Sequence, residues 1–71
     1  MITQRDLIYR YIKDFGSITP LQAFADLGIT KLATRVSEMR RDGIAIQGEW
    51  QEGRNRYGKK TQYMKYKLVE V

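Results

Sequence analysis

Six basic side chains lie between residues 53 and 67, and no acidic residue interrupts them. Side chains of this type neutralise phosphate groups, and the counterions released in the process drive binding to nucleic acids. The alternative is a solvated surface with a positive bias, since lysines on an edge strand also prevent aggregation. The six residues are Arg54, Arg56, Lys59, Lys60, Lys65 and Lys67.

The net charge of +5 comes entirely from the second part of the chain. Residues 1–28 carry three basic and three acidic side chains, whereas residues 29–71 carry ten basic and five acidic ones. A charge distribution this one-sided is typical of proteins that bind a polyanion.

Several classes of chemistry lack the residues that they need. Histidine and cysteine are absent, which removes the commonest general base and the commonest metal ligands. The eight acidic residues are scattered and form no pair at catalytic spacing. Gly53 and Gly58 flank a hairpin tip and do not precede a helix, so they form no nucleotide-binding loop. We therefore expect neither an enzyme nor a bound metal or cofactor.

The length of 71 residues fits a single domain, which we expect to span residues 1–71. No run of about 18 apolar residues occurs, so we expect no membrane span and no membrane partner. The first residues are polar and contain no apolar run of signal-peptide length.

Capping signals predict a first helix that begins at Thr3 and ends at Gly16. Asp6 stands three residues after Thr3, close to a capping box, and glycine is the usual left-handed stop. The apolar residues recur at helical spacing and predict a face against the core. They are Leu7, Ile8, Tyr11, Ile12 and Phe15.

A short second helix follows Ser17 and Ile18, which we expect to form a stub of strand. Thr19 caps this helix, Pro20 suits its first position and Gln22 completes a capping box. Gly28 ends it after barely two turns. Its inner side is predicted to carry Leu21, Phe24 and Leu27.

The third helix is predicted over residues 31–42, with Thr30 as its cap and Gly43 at its end. Leu32, Val36 and Met39 share one face at about 100° per residue. A short turn that contains glycine joins this helix to the second one, which is typical of a helix-turn-helix.

After residue 43 the apolar period changes from helical to two, which predicts a pair of strands. Ile44, Ile46 and Trp50 are predicted to face the helices. On the return, over 61–69, the inward residues are Met64, Tyr66 and Leu68, and the outward ones are Tyr63, Lys65 and Lys67. The predicted fold class is α+β, a winged helix-turn-helix in which three helices precede a two- to three-stranded antiparallel wing.

The outward side of the third helix is the candidate for reading bases, because an α-helix fits the major groove. Arg35 suits guanine, Glu38 suits cytosine and Thr34 suits the methyl group of thymine. Glu38 could instead pair with a neighbouring arginine. Arg40 and Arg41 suit phosphates, or only offset the helix dipole. The predicted DNA-binding residues of this helix are Lys31, Thr34, Arg35, Ser37, Glu38 and Arg41.

The basic loop at residues 53–60 is the second candidate site. Its glycines allow a tight turn, and an arginine at its tip can enter a narrow minor groove. Asn55 and Tyr57 can hydrogen-bond to phosphates. The alternative is an ordinary hairpin loop whose charges only maintain solubility. The predicted DNA-binding residues of the wing are Arg54, Asn55, Arg56, Tyr57, Lys59 and Lys60.

This order of motifs resembles the winged helix-turn-helix domains of bacterial and phage DNA-binding proteins. It is most similar to a small family of phages and mobile elements, over residues 16–46 and 55–68. The resemblance implies sequence-specific DNA binding in regulation or recombination, through the third helix and the wing. One departure is Phe24, which stands where the general helix-turn-helix pattern has alanine, with Ala23 just before it.

We therefore predict a DNA-binding regulator or recombination accessory factor in the cytoplasm of a bacterial host cell. Its partner is duplex DNA, and a homodimer would supply the contact area that one small module lacks. The alternative is a protein-interaction module that binds a host or phage protein, of the anti-CRISPR or polymerase-binding type. Structured RNA is a third possibility, because a basic wing can follow any phosphate backbone.

Overall fold

The computed structural model describes residues 2–69 and contains three helices followed by an antiparallel hairpin. This architecture confirms the predicted order of elements and the predicted α+β class. The two strands pair over their whole length, and the chain turns between them in a five-residue loop. The elements are α1 (Gln4–Phe15), α2 (Pro20–Leu27), α3 (Leu32–Arg41), β1 (Ile46–Arg54) and β2 (Lys60–Leu68).

Both predicted capping boxes are present. The hydroxyl of Thr3 accepts from the Asp6 amide at 3.2 Å, and the Asp6 carboxylate accepts from the Thr3 amide at 3.0 Å. The backbone hydrogen bond from Thr3 is the main reason why the pKa of Asp6 is lowered. Thr19 and Gln22 repeat the arrangement at α2 with the same two distances. The starts of α1 and α2 are therefore determined locally.

The start of α3 differs from the prediction. Lys31 occupies the cap position, and no side chain caps the helix, so the prediction of Thr30 as the cap was wrong. Ile29 and Leu32 are both buried in the core on either side of this turn. Apolar burial thus fixes the chain at the beginning of α3, where α1 and α2 use a hydroxyl.

Eleven buried apolar residues form one continuous core between the three helices and the base of the hairpin. Ile18 contributes from the predicted stub of strand, since its backbone exchanges two hydrogen bonds of 2.8 Å with Tyr66 on β2. The predicted faces of α1 and α3 are largely confirmed. The core consists of Ile8, Tyr11, Ile12, Ile18, Ala23, Ile29, Leu32, Val36, Met39, Ile46 and Tyr66.

The inner side of α2 was predicted wrongly at Leu21 and Phe24 and correctly at Leu27, which packs against the core. Leu21 is 75% exposed and Phe24 is also exposed, whereas Ala23 is completely buried and Leu27 is half-buried. A helix of only two turns packs closely through one small residue, and Ala23 allows that approach. The alanine of the helix-turn-helix pattern is therefore present one position earlier, and Phe24 takes no part in the packing.

Two other aromatic residues predicted to face the core lie in solvent. Phe15 is exposed at the last turn of α1, where its ring contacts that of Tyr11 at a centroid distance of 4.6 Å. Trp50 is 67% exposed, although Met64, its partner across the hairpin, is half-buried and packs against the core. The core therefore ends at this pair, and the hairpin continues beyond it.

Two leucine substitutions test this assignment of the core. Leu32→Ala removes a buried side chain and should lower the free energy of unfolding by about 2–5 kcal/mol. Leu21→Ala makes the same chemical change in solvent, and we expect an effect within about 0.5 kcal/mol. Urea denaturation followed by circular dichroism measures both. A large loss for Leu21→Ala would contradict the packing of α2 described above.

Candidate nucleic-acid interface

The outward face of α3 consists of short or flexible polar side chains. At about 100° per residue, Thr34 and Arg41 lie opposite the buried stripe, and Ser37 lies close to them. These three residues and Lys31 are exposed. Four of the six residues predicted on this helix therefore share one accessible surface, and its centre is low enough to allow close approach to a groove.

Arg35 and Glu38, the other two predicted residues, engage each other. The Arg35 Nη1 atom donates to the Glu38 Oε1 atom at 3.0 Å, and the side chains are only 32% and 31% exposed. The Nε atom of Arg35 is buried and has no hydrogen-bond partner among the described residues. Base contacts by either side chain remain predictions, and they would require this pair to open.

Arg40 joins α3 to the hairpin. Its Nε atom donates to the carbonyl oxygen of Ile46 at 3.0 Å, and its guanidinium lies 5.9 Å from the ring centroid of Tyr66. Both contacts anchor the base of the wing to the helix. Arg40 thus has a structural function in addition to any phosphate contact.

The tip of the wing, residues 55–59, is organised by Asn55. Its side-chain oxygen accepts from the amides of Tyr57 at 2.9 Å and Lys59 at 3.0 Å. Gly58 donates to the Asn55 carbonyl and has a φ of 78°, which glycine adopts without strain. Because the Asn55 amide also donates to the Lys59 carbonyl, residues 56–58 within this segment form a three-residue hairpin loop that ends in a left-handed glycine. The Asn55 oxygen is therefore engaged within the loop, and its contact with a phosphate remains a prediction for the amide group alone.

The charged side chains around this tip point into solvent. Arg54 donates from Nη1 to the carbonyl of Gly58 at 3.1 Å, so one of its donors stabilises the loop. Arg56, Lys59 and Lys60 are exposed, and within residues 2–69 none of them has an acidic partner. The structure therefore brings the predicted cations of the wing together at one projecting end.

The bases on the body of the hairpin differ from those at its tip. Lys67 forms an ion pair of 2.6 Å with Glu49, and this hydrogen bond is the main reason why the pKa of Glu49 is lowered. Lys65 lies directly opposite Glu49 in the strand register. The six basic residues therefore differ in their surroundings. The cations of the tip have no acidic partner among the described residues, whereas Lys65 and Lys67 on the body of the hairpin lie next to Glu49.

Trp50 is a candidate contact that the sequence did not indicate. It lies on the face of the hairpin that also carries Arg54 and Lys60, because side chains two positions apart in a strand share a face. Glu52 stands between Trp50 and Arg54 on this face, and the exposed ring suits contact with a sugar or a base. The alternating pattern of the strand predicts the face of Trp50 correctly, but only the tertiary structure shows that the ring is exposed.

Other kinds of site find no support in the part of the chain that the structure describes. Among residues 2–69, no group of three or more acidic residues is placed to hold a metal ion. None of the helices in the same range is both long and apolar enough to cross a membrane.

Comparison with protein families gives one match. The model of a family described as winged helix-turn-helix domain matches residues 3–71. Comparison with curated proteins and with solved structures gave no match.

Substitution of Asn55 tests the organisation of the wing tip. Asn55→Ala removes the acceptor for two amides, so the heteronuclear NOE of Tyr57 and Lys59 should fall. Global stability should change by no more than about 1 kcal/mol, because the loop lies outside the core. Asn55→Asp keeps an accepting oxygen and should preserve the NOE values. Equal flexibility in the alanine variant and the wild type would show that Asn55 does not organise the loop.

Proposed function

The chain belongs to the winged helix-turn-helix family, and on that premise we propose that it binds duplex DNA. In this proposal α3 enters the major groove and the wing lies along the neighbouring phosphate backbone or enters the minor groove. The observation that carries it is the tip of the wing, where Arg56, Lys59 and Lys60 are exposed and have no acidic partner among residues 2–69.

The shape of the domain supports this reading. Nine residue pairs join the strands, and the buried residues of the hairpin, Ile46 and Tyr66, lie at its base, so the tip projects away from the core. The longest dimension of the domain is 40 Å. A charged tip that projects beside an exposed helix can reach a backbone while the helix occupies the groove.

The outward face of α3 supports a reading role. Thr34 and Ser37 are short enough to lie against base edges, and Lys31 and Arg41 at the two ends of the helix can contact phosphates. The guanine and cytosine contacts assigned to Arg35 and Glu38 form part of the proposal only if DNA separates the two side chains. Sequence preference therefore rests on few residues, and most of the affinity comes from the wing.

At a finer level we propose a regulator of transcription or a recombination accessory factor, of the type encoded by phages and mobile elements. It would act in the cytoplasm of a bacterial cell by occupying or bending DNA or by recruiting a partner. A homodimer would double the contact area, which is small for one module of this size.

A second candidate function is docking to a host or phage protein. It is favoured by one observation: Pro20, Leu21, Phe24 and Tyr63 line a shallow groove without charged residues, and three of these side chains are large and exposed. Recovery of a host protein from a nuclease-treated lysate would favour docking if the Leu21→Ser/Phe24→Ser variant no longer recovers it.

Binding to structured RNA is the third possibility. Competition between duplex DNA and duplex RNA for the chain distinguishes it from DNA binding.

The salt dependence of binding tests the DNA-binding proposal. The fluorescence of Trp50, the only tryptophan in the sequence, reports binding of a short duplex over a range of salt concentrations. The slope of log K against log salt should decrease by about 0.9 for each phosphate contact removed, so Lys59→Gln/Lys60→Gln should lower it by about 1.8. Fluorescence anisotropy of a labelled duplex provides an independent measurement.

Arg10→Gln/Lys13→Gln is the matched control, because it removes two positive charges from exposed positions on α1, away from the wing. An equal decrease of the slope in both double variants would show that the wing contributes only through the net charge of the chain. An unchanged slope in Lys59→Gln/Lys60→Gln would contradict the wing assignment. Selection of bound sequences from a random DNA pool then tests specificity, and a palindromic motif would indicate a dimer.

A further inference from the structure

An open pocket of about 470 Å³ lies between the beginning of α1 and one flank of α3. Its lining includes three arginines, Arg5 from α1 and Arg35 and Arg41 from α3. The sequence does not indicate that Arg5 lies near α3, because the rest of α1 and the whole of α2 separate them in the chain. The pocket brings together three of the thirteen basic residues of the chain.

Two carboxylates hold two of these arginines in position. The Arg5 Nη1 atom lies 2.6 Å from the Asp42 Oδ2 atom, and Arg35 pairs with Glu38 at 3.0 Å. A guanidinium has five N–H donors, so each pair leaves most of them available. The buried Nε of Arg35 has no partner among the described residues. Arg41 forms no ion pair within residues 2–69.

The first turn of α1 contributes a second kind of donor to the same pocket. Thr3 accepts from two amides of this turn, since Asp6 donates to the Thr3 hydroxyl and Leu7 donates to the Thr3 carbonyl. The amides of Gln4 and Arg5 make no hydrogen bond within residues 2–69, and both residues line the pocket. The amides at a helix N-terminus favour an anion, and here they lie beside three guanidinium groups.

We infer that this pocket binds a phosphate group, and that in the DNA complex it holds a backbone phosphate on the side of α3 away from the wing. The inference rests on the proposed DNA binding for the source of the phosphate. The three arginines exceed the two acids by one charge, and Glu38 and Asp42 preorganise the guanidinium groups before the ligand arrives.

The position of the pocket around α3 supports this assignment. Arg40, on one flank of the helix, anchors the wing through Ile46. Arg35 is five residues earlier, which at about 100° per residue places it about 140° away around the helix axis. The pocket and the wing therefore lie on opposite flanks of α3. A helix in the major groove has a phosphate backbone on each side, so the two sites would hold both strands and fix the orientation of the helix.

Substitution of Arg5 tests the pocket independently of the rest of the interface, because Arg5 lies on α1 and belongs to no other proposed contact. Arg5→Gln should lower the salt slope for a short duplex by about 0.9, which is one phosphate. Arg10→Gln is the matched control, since it removes the same charge from an exposed, ion-paired arginine of the same helix. Thermal melting establishes that both variants are folded.

Nuclear magnetic resonance of the wild-type chain gives a test that needs no variant. Addition of the duplex should shift the amide signals of Gln4 and Arg5 and the Nε signal of Arg35, together with signals of the wing tip. Inorganic phosphate alone, compared with chloride at equal ionic strength, should shift the three pocket signals and leave the wing tip nearly unchanged.

The outcomes separate the pocket from the proposed function. If DNA shifts signals of α3 and the wing but none of the three pocket signals, and Arg5→Gln has the slope of Arg10→Gln, the pocket assignment is overturned and DNA binding stands. If DNA does not bind but inorganic phosphate shifts the three signals, the phosphate site stands and its source is not DNA. If neither ligand shifts them, the pocket binds no phosphate.

Discussion

Tyr66 joins the hairpin to the helices, and the position of every proposed contact of the wing depends on this junction. Its backbone exchanges two hydrogen bonds with Ile18, its side chain is buried in the core, and Arg40 lies over its ring while donating to Ile46. The junction fixes the angle between α3 and the wing. Because the buried residues of the hairpin lie at its base, its reach and direction depend mainly on these contacts.

The basic residues of the domain fall into two groups, those that pair with an acidic residue and those that do not. At the pocket and on the body of the hairpin, acids pair with bases and hold them in defined positions, as in Arg5 with Asp42 and Lys67 with Glu49. At the tip, Arg56 and its neighbouring lysines are left without described acidic partners. Surface ion pairs of this kind contribute little to stability, so their main consequence is the placement of side chains. The domain therefore combines an exposed cationic tip with a preorganised flank on α3.

Much of the fold could be predicted from the sequence, whereas the candidate site could be predicted only in outline. The capping boxes of Thr3 and Thr19 act within four residues, so they are visible without knowledge of the rest of the chain. The wing tip was found because its charges are adjacent in sequence. The phosphate pocket was not, because Arg5 and Arg41 meet only after three helices have packed. The pairing of Arg35 with Glu38 was visible as an alternative, but its burial was not.

The sequence by itself determined the order of elements, the ends of the first two helices, the alternation of the strands and the excess of positive charge near the wing. All of these are local, since they arise from hydrogen bonds and steric preferences between residues close in the chain. Tertiary structure alone decided which apolar residues are buried. Leu21, Phe24 and Trp50 occupy positions with the correct period, yet they lie in solvent because a two-turn helix docks through Ala23 and the hairpin extends beyond the core. Burial depends on what the rest of the chain places opposite a residue, and periodicity contains no information about that distance.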